Sequence, residues 1–537
     1  MSRKRFKWGS IVYNPEATQK DSNVMALALS LPRLDQRPTN PPETRPARVV
    51  PWLNEMLKRD PIEAAATIGD ALAAVNRVAI SGSRRLELAE KYYNAAVTLW
   101  PTLEHHFAKA SHPLSGNALE AAKASLILAA ELATAYKHLL AHEADKRILL
   151  TGNRLLVALM HRCLQCTARV LINSYLSYAP VPTRTWHDAH AIYLFARSRK
   201  LHQSPVAGDN TEATPERIYL QALLLALANP YGFLPGQLSL VLHYLQEYSH
   251  WAKLTDVAPV HRLAKAVAIV PVGHDFPPFS ANKGGNMEGS KLFLLTFDLA
   301  FQIQEQLRAL DSGGRAPAGI GTSAAAKGEY TNLLRRLLRQ WAIPPARQFS
   351  RLPSRGRVVA LAGFLNAWHG SRTDDTRMIA GHPDLPPPTT CQILNQTPGG
   401  YALRQIAATP SSLRIGDLIT LRVEGKPGLQ VAIVRWFRNA PTGTALEFGC
   451  ELVSDSPRTA TAAAEDAMDH SPTPIVVLPG DRTGTEVSPD QVVVPMGAFG
   501  LEHAIGMWHD KGKHVAVLTK LVDQGPDFEI YEFAAVG

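Results

Sequence analysis

Seven residues in the second half of the chain have the types and spacing to hold a small anion. Arg347, Arg351 and Arg355 recur at every fourth position, in Ala-Arg-Gln-Phe-Ser-Arg-Leu-Pro-Ser-Arg. Further on come Asn395, Thr397 and Gly400 in Asn-Gln-Thr-Pro-Gly-Gly, followed by Arg404. A guanidinium offers paired N–H donors to a phosphate and a flat face for stacking. An Asn side chain both donates and accepts at a base edge. A Thr hydroxyl binds a ligand or braces a loop, and a Gly lets backbone and ligand approach closely. Two arginines four apart in a non-helical loop can fold around one dianion, and both Arg347/Arg351 and Arg351/Arg355 are available pairs.

Short strands must position these groups. Runs at 358–362, 392–394, 401–404, 418–423, 430–436 and 446–452 are apolar or alternating. Gly399-Gly400, Ile415-Gly-Asp417 and Gly425-Lys-Pro-Gly428 are the turn signals between several of them. Such spacing predicts a small antiparallel barrel or sandwich.

Arg351-x-x-x-Arg355 followed by Asn395-x-Thr397-x-x-Gly400 resembles the two-part signature of the PilZ domain family. Arg-Ile-Gly-Asp-Leu-Ile-Thr-Leu-Arg at 414–422, Ala-Ile-Val-Arg-Trp at 432–436 and Phe-Gly-Cys-Glu-Leu at 448–452 extend the resemblance over about 346–457. It implies a bacterial β-barrel that binds cyclic di-GMP through Arg351, Arg355, Asn395, Thr397 and Gly400, with Arg347 and Arg404 as further ligand-binding candidates. Thr397 stands where the family commonly has Ser, and a polar, proline-rich insertion at 371–390 separates the two halves of the signature.

The remainder is expected to be a multi-domain chain: an all-α N-terminal helical domain, the PilZ-like antiparallel β-barrel, and a small C-terminal β module. Prolines at 32, 38, 41, 42 and 46 mark residues 1–50 as an arm carrying one apolar piece that can dock on the body. Residues 51–310 are mainly helical, with apolar faces at helical spacing over 84–110, 117–144 and 147–178. A small strand pair is expected near 266–272 and 292–297, then a helix at 299–310. Residues 311–345 comprise a Gly/Ala/Ser-rich linker and an amphipathic helix at 330–341. Its apolar face is Leu333, Leu334, Leu337, Leu338 and Trp341; Arg335, Arg336 and Arg339 form its solvated face. The barrel takes 346–457. Residues 458–537 form the C-terminal module, which opens with an alanine-rich helix at 458–468 and continues in strands.

The chain has 537 residues and a formal net charge of +9, a basic balance that suits anionic partners without choosing among them. Cys163, Cys166, Cys391 and Cys450 are too few for a disulfide scaffold, which points to a reducing cytoplasm. Cys163 and Cys166 lie mid-helix in an apolar run and read as buried thiols. His105, His106, His187 and His190 read as surface or capping groups. Gly480-Asp-Arg-Thr-Gly-Thr has the wrong spacing for a phosphate loop and lacks its Lys. Neither a catalytic nor a metal-binding set emerges, so no enzyme and no cofactor are expected. No membrane span and no DNA partner are expected either. The function this implies is a cytoplasmic cyclic di-GMP receptor that meets an unidentified protein partner through the helical domain. The alternative is a PilZ-like interaction scaffold that does not bind nucleotide.

Overall fold

The structure, a computed structural model, describes residues 27–144, 153–206, 213–259, 266–283, 288–314, 323–342, 352–371, 386–406, 413–440, 445–465, 472–480, 489–509 and 512–536. Its first part is helical: α1 Pro46–Met56, α2 Pro61–Asn76, α3 Gly82–Phe107, α4 Gly116–Ala144, α5 Arg154–Leu176, α6 Thr185–Ser198, α7 Pro215–Leu227 and α8 Gln237–Tyr248. Local chemistry fixes the starts. Asp60 accepts from the backbone N–H groups of Ile62 and Glu63 while Pro61 occupies the first turn of α2; Ser81 and Thr214 cap α3 and α7 in the same way. Helices start already at Pro46, because a proline at the first helical position opens a helix rather than breaking it.

The apolar piece of the arm docks as expected. Leu27 and Leu29 pack on the helical core. Ser30 donates its backbone N–H to Asp188, and Lys137 bridges the Ser30 carbonyl and the Asp188 carboxylate at 2.9 Å each. The α5 helix is long and apolar enough to cross a membrane, but it packs against α4, α6 and α7 with Leu159, Met160, Leu164 and Leu171 buried.

Strands β1 Lys253–Thr255, β2 Val267–Val270, β3 Phe279–Ser280 and β4 Leu292–Leu295 form a four-stranded antiparallel sheet in the order β1-β4-β2-β3, and α9 Phe297–Asp311 and α10 Ala324–Trp341 follow. β1, β2, β4 and both helices belong to the same core as the preceding helices. Trp341 donates its indole N–H to the Leu224 carbonyl at 3.1 Å, and Thr296 donates to the Trp341 carbonyl at 2.5 Å. The amphipathic helix is thus anchored in the helical region.

Two barrels complete the fold. In the first, β5 Leu352–Pro353, β6 Arg357–Ala362, the short helix α11 Phe364–Gly370, β7 Thr389–Thr397, β8 Gly400–Gln405, β9 Leu418–Val423, β10 Gln430–Asn439 and β11 Leu446–Ser454 give the order β5-β7-β6-β9-β10-β11-β8. Pairing of β7 with β8 closes it. Alternating residues fill the interior, among them Val358, Ile393, Leu403, Leu421, Val434 and Phe448.

The second barrel runs β12 Arg458–Ala464, β13 Thr473–Leu478, β14 Gln491–Pro495, β15 Ala504–His509, β16 Gly512–Gln524 and β17 Phe528–Val536, closed in the order β12-β13-β14-β17-β16-β15. The helix expected over 458–468 is therefore corrected: 458–464 is strand β12, and 466–468 lie outside the described residues. The alanines there invite a helix. However, Arg458–Ala462 ladder with β13 and Thr461–Ala464 with β15, and the small side chains of Ala460 and Ala462 are what the barrel interior admits. Pairing on both edges overrides local propensity.

Candidate ligand-binding site

The short strand β5 lies between two of the arginine positions, 351 and 355, and runs beside the second motif. It pairs antiparallel with the end of β7, Leu352 opposite Gln396 and Pro353 opposite Asn395. The chain leaving the arginine segment is thereby laid against the Asn-x-Thr-x-x-Gly strand. Arg347 and Arg351 lie outside the described residues. Arg355, just beyond β5, is exposed and makes no hydrogen bond or ion pair among the described residues.

Three local devices shape the facing hairpin. A bulge between Ile393 and Asn395 breaks the alternation of β7, so Ile393 stays opposite Leu403 while Asn395 comes opposite Ala402. The Thr397 hydroxyl donates to the Gly400 carbonyl at 3.3 Å and braces the two-residue turn Pro398-Gly399. Gly400 has φ +147°, and a Cβ there would lie 2.1 Å from the Cys450 carbonyl oxygen. The barrel itself thus requires glycine at 400, apart from any ligand.

Arg404 is already engaged. Its Nε and a terminal nitrogen donate to Glu447 Oε1 at 2.9 and 2.6 Å, and Arg438 Nε donates to Oε2 of the same carboxylate at 2.9 Å. The Glu447 side chain is only 2% exposed. One buried carboxylate between two half-exposed guanidiniums leaves a surplus positive charge on this face.

Register adds a residue that motif reading missed. Trp436, Gly449, Ala402 and Asn395 are successive cross-strand partners over β10, β11, β8 and β7. The Trp436 indole lies across Gly449: a Cβ there would come 1.9 Å from Nε1. Small residues at 449 and 402 leave a shallow floor between an aromatic ring and the Asn395 strand, flanked by the Arg404–Glu447–Arg438 cluster. The signal was the outward position of Trp436 on its strand, which needs the bulge between Val434 and Trp436 to be read correctly.

The other groups singled out from sequence lie elsewhere in the fold. All four cysteines are buried and free. Burial pushes the Cys391 and Cys450 thiols up to about 12, and those of Cys163 and Cys166 above their usual range. His190 is neither a surface nor a capping group. It is buried between the Tyr219 hydroxyl at 2.6 Å and the Phe276 carbonyl at 2.9 Å, and burial lowers its pKa to about 4. Among the described residues no group of three or more His, Cys, Asp or Glu could hold a metal ion. The Gly480–Thr485 loop lies beyond the described residues after Gly480.

Two stretches of the chain are similar to known protein families. Residues 369–458 match the family model described as cyclic-di-GMP receptor FimW, middle PilZ domain, and residues 47–259 match that of the cyclic-di-GMP receptor FimW, N-terminal domain. The cyclic-di-GMP receptor FimW of Pseudomonas aeruginosa is 22% identical over 496 residues, with 80% of each chain covered. No solved structure matches.

Proposed function

Taking as premise that the first barrel belongs to the PilZ domain family, we propose that the chain is a bacterial signalling receptor for cyclic di-GMP. The observation that carries this reading is the β5–β7 pairing, which sets the flank of the arginine segment against Asn395. The relative described as a cyclic-di-GMP receptor supports the same ligand.

In this reading Arg351 and Arg355, with Arg347 available beside them, hold the phosphates and guanine edges by charge-assisted hydrogen bonds. Asn395 reads a base edge. Gly400 keeps the hairpin tight enough for backbone approach, and Thr397 braces it. Arg404 contributes charge from its place on Glu447, and Trp436 offers a ring for a purine. The receptor works in the cytoplasm, and its helical domain is the surface that meets a protein partner.

A second reading has a specific observation behind it. Thr397 and Gly400 are accounted for by the barrel, and Arg404 by Glu447. A scaffold without nucleotide would keep all three. Calorimetric titration with cyclic di-GMP separates the two. Binding is expected, and Arg355→Ala should weaken it ten- to a hundredfold, the ~1.5–3 kcal/mol of one charge-assisted contact. The thermal midpoint should barely move. No heat from the native chain at high micromolar ligand rejects the receptor reading.

A further inference from the structure

The expectation that Arg335, Arg336 and Arg339 share one solvated face fails at Arg336. Its guanidinium carbon lies 3.8 Å from the centre of the Phe233 ring, and the side chain is only partly exposed. Room for it comes from Gly232, where a Cβ would sit 2.7 Å from an Arg336 nitrogen and 3.0 Å from the Arg435 carbonyl oxygen. Arg336 therefore occupies the place where the turn at 230–232 meets β10 of the first barrel.

Its electrostatic setting is unbalanced. No carboxylate or carbonyl accepts from Arg336 among the described residues, whereas Arg335 on the same helix faces Asp311 at 3.4 Å. Burial, and the nearby charges of Arg339 and Arg435, bring its pKa down to about 10. A guanidinium held among like charges is costly unless an anion joins it. It opens onto a cavity of about 600 Å³ lined by Phe233, Leu240, Leu333, Asn332 and Gln237, with Arg339 and Glu329 also in the wall. That is the volume of an ordinary small-molecule site. Apolar side chains beside two guanidiniums, two amides and one carboxylate suit a ligand with an apolar part and an acidic head. Glu329, an exposed residue of the first half of α10, balances only one of the two arginines.

The geometry points to a second ligand site, between α8 and α10, that takes a small oxyanion-bearing molecule with its phosphate or carboxylate on Arg336 and Arg339. It is distinct from the cyclic di-GMP site and does not depend on it.

The test uses the full chain with inorganic phosphate and with citrate as probes, against chloride at equal ionic strength, and reads the thermal midpoint. At least one oxyanion should raise the midpoint beyond chloride, and the better of the two tells whether the natural head group is a phosphate or a carboxylate. Arg336→Met should abolish the rise. Arg339→Gln, an exposed change that leaves the fold alone, should weaken apparent affinity roughly tenfold. Leu240→Trp, which fills the cavity, should abolish the rise and serves if Arg336→Met does not fold. Equal behaviour of oxyanions and chloride overturns the proposal, as does a rise that survives both Arg339→Gln and Leu240→Trp. Loss of cyclic di-GMP binding in a folded Arg336→Met variant would also overturn it, since the two sites would then be one.

Discussion

The first barrel has two neighbours and meets them by different chemistry. Toward the helical domain the contact is aromatic. Tyr178 enters the barrel's interior cluster and stacks on Phe437 at 4.4 Å and 22°, with His112 4.3 Å from the Tyr178 ring. The Asn439 N–H donates to the Tyr178 carbonyl at 2.8 Å, and Tyr178 itself donates to the Phe233 carbonyl. Toward the second barrel the contact is a broad apolar layer: Phe364, Leu418, Val431 and Ile433 against Val476, Leu478, Val493, Phe528 and Ile530. Charged groups border it. Arg435 is shared between Glu451 of its own barrel and Asp523 of the other, and Asp527 accepts from the Phe364 N–H. The first seam is an inserted plug with little tolerance for change. The second is a layer whose ion pairs and carboxylates respond to solvent conditions.

The hardest blow to this contrast is Tyr178→Ala, which empties the barrel mouth. Removing a fully buried ring should cost about 3–5 kcal/mol. Urea unfolding followed by protease sensitivity near residue 439 would register it; a loss below about 1 kcal/mol would make the plug incidental.

Acid should act on the two seams in opposite senses. His112 is 8% exposed, and burial lowers its pKa to about 4 from 6.5. The unfolded chain binds the proton more readily, so this seam loses stability as pH falls from 6.5 to 4, by up to roughly 3 kcal/mol. His112→Phe should remove that slope from the unfolding midpoints.

Asp417, between Arg414 and the turn carrying Asp527, is raised to about 6, mainly by burial and further by the Asp527 charge. Its folded form holds the proton more tightly than the unfolded chain. Stability is then greatest below 3.8 and declines as pH rises to about 6, by up to roughly 3 kcal/mol. Asp417→Asn should flatten this dependence relative to the native chain.

The smallest effect is expected at Arg435. Its side chain is 39% exposed, so Asp523→Asn should cost only about 0.5–1 kcal/mol. Raising the salt concentration should narrow the difference between native and variant. A larger, salt-independent loss would place the second seam's strength in its ion pair rather than in its apolar layer.

What could be read from the sequence follows from how local each signal is. The strand at 418–423 was legible to the residue because apolar alternation and flanking turns agree there. Helix α2 was legible from Asp60-Pro61. Strand β12 was not, since its alanines favour a helix in isolation and only the two flanking strands decide otherwise. Strand β5 was missed because two residues carry no period. In the candidate site, Asn395, Thr397 and Gly400 were legible as a motif. The pairing of Arg404 with Glu447, the placement of Trp436 across Gly449 and the stacking of Arg336 on Phe233 were not. Each depends on a partner from another strand or helix.

Tyr178 also bears on the order in which the chain is made. The ribosome delivers the helical half first, and domains generally fold as they emerge. The ring that seals the barrel is therefore in place, held by Phe233, before the strand bearing Phe437 has been synthesised. The barrel matures on a template already built. A fragment beginning at residue 352 would lack that template and expose Phe437 and Leu446 at an open mouth. It should be recovered chiefly as aggregate, and supplying the helical half as a separate chain should rescue it.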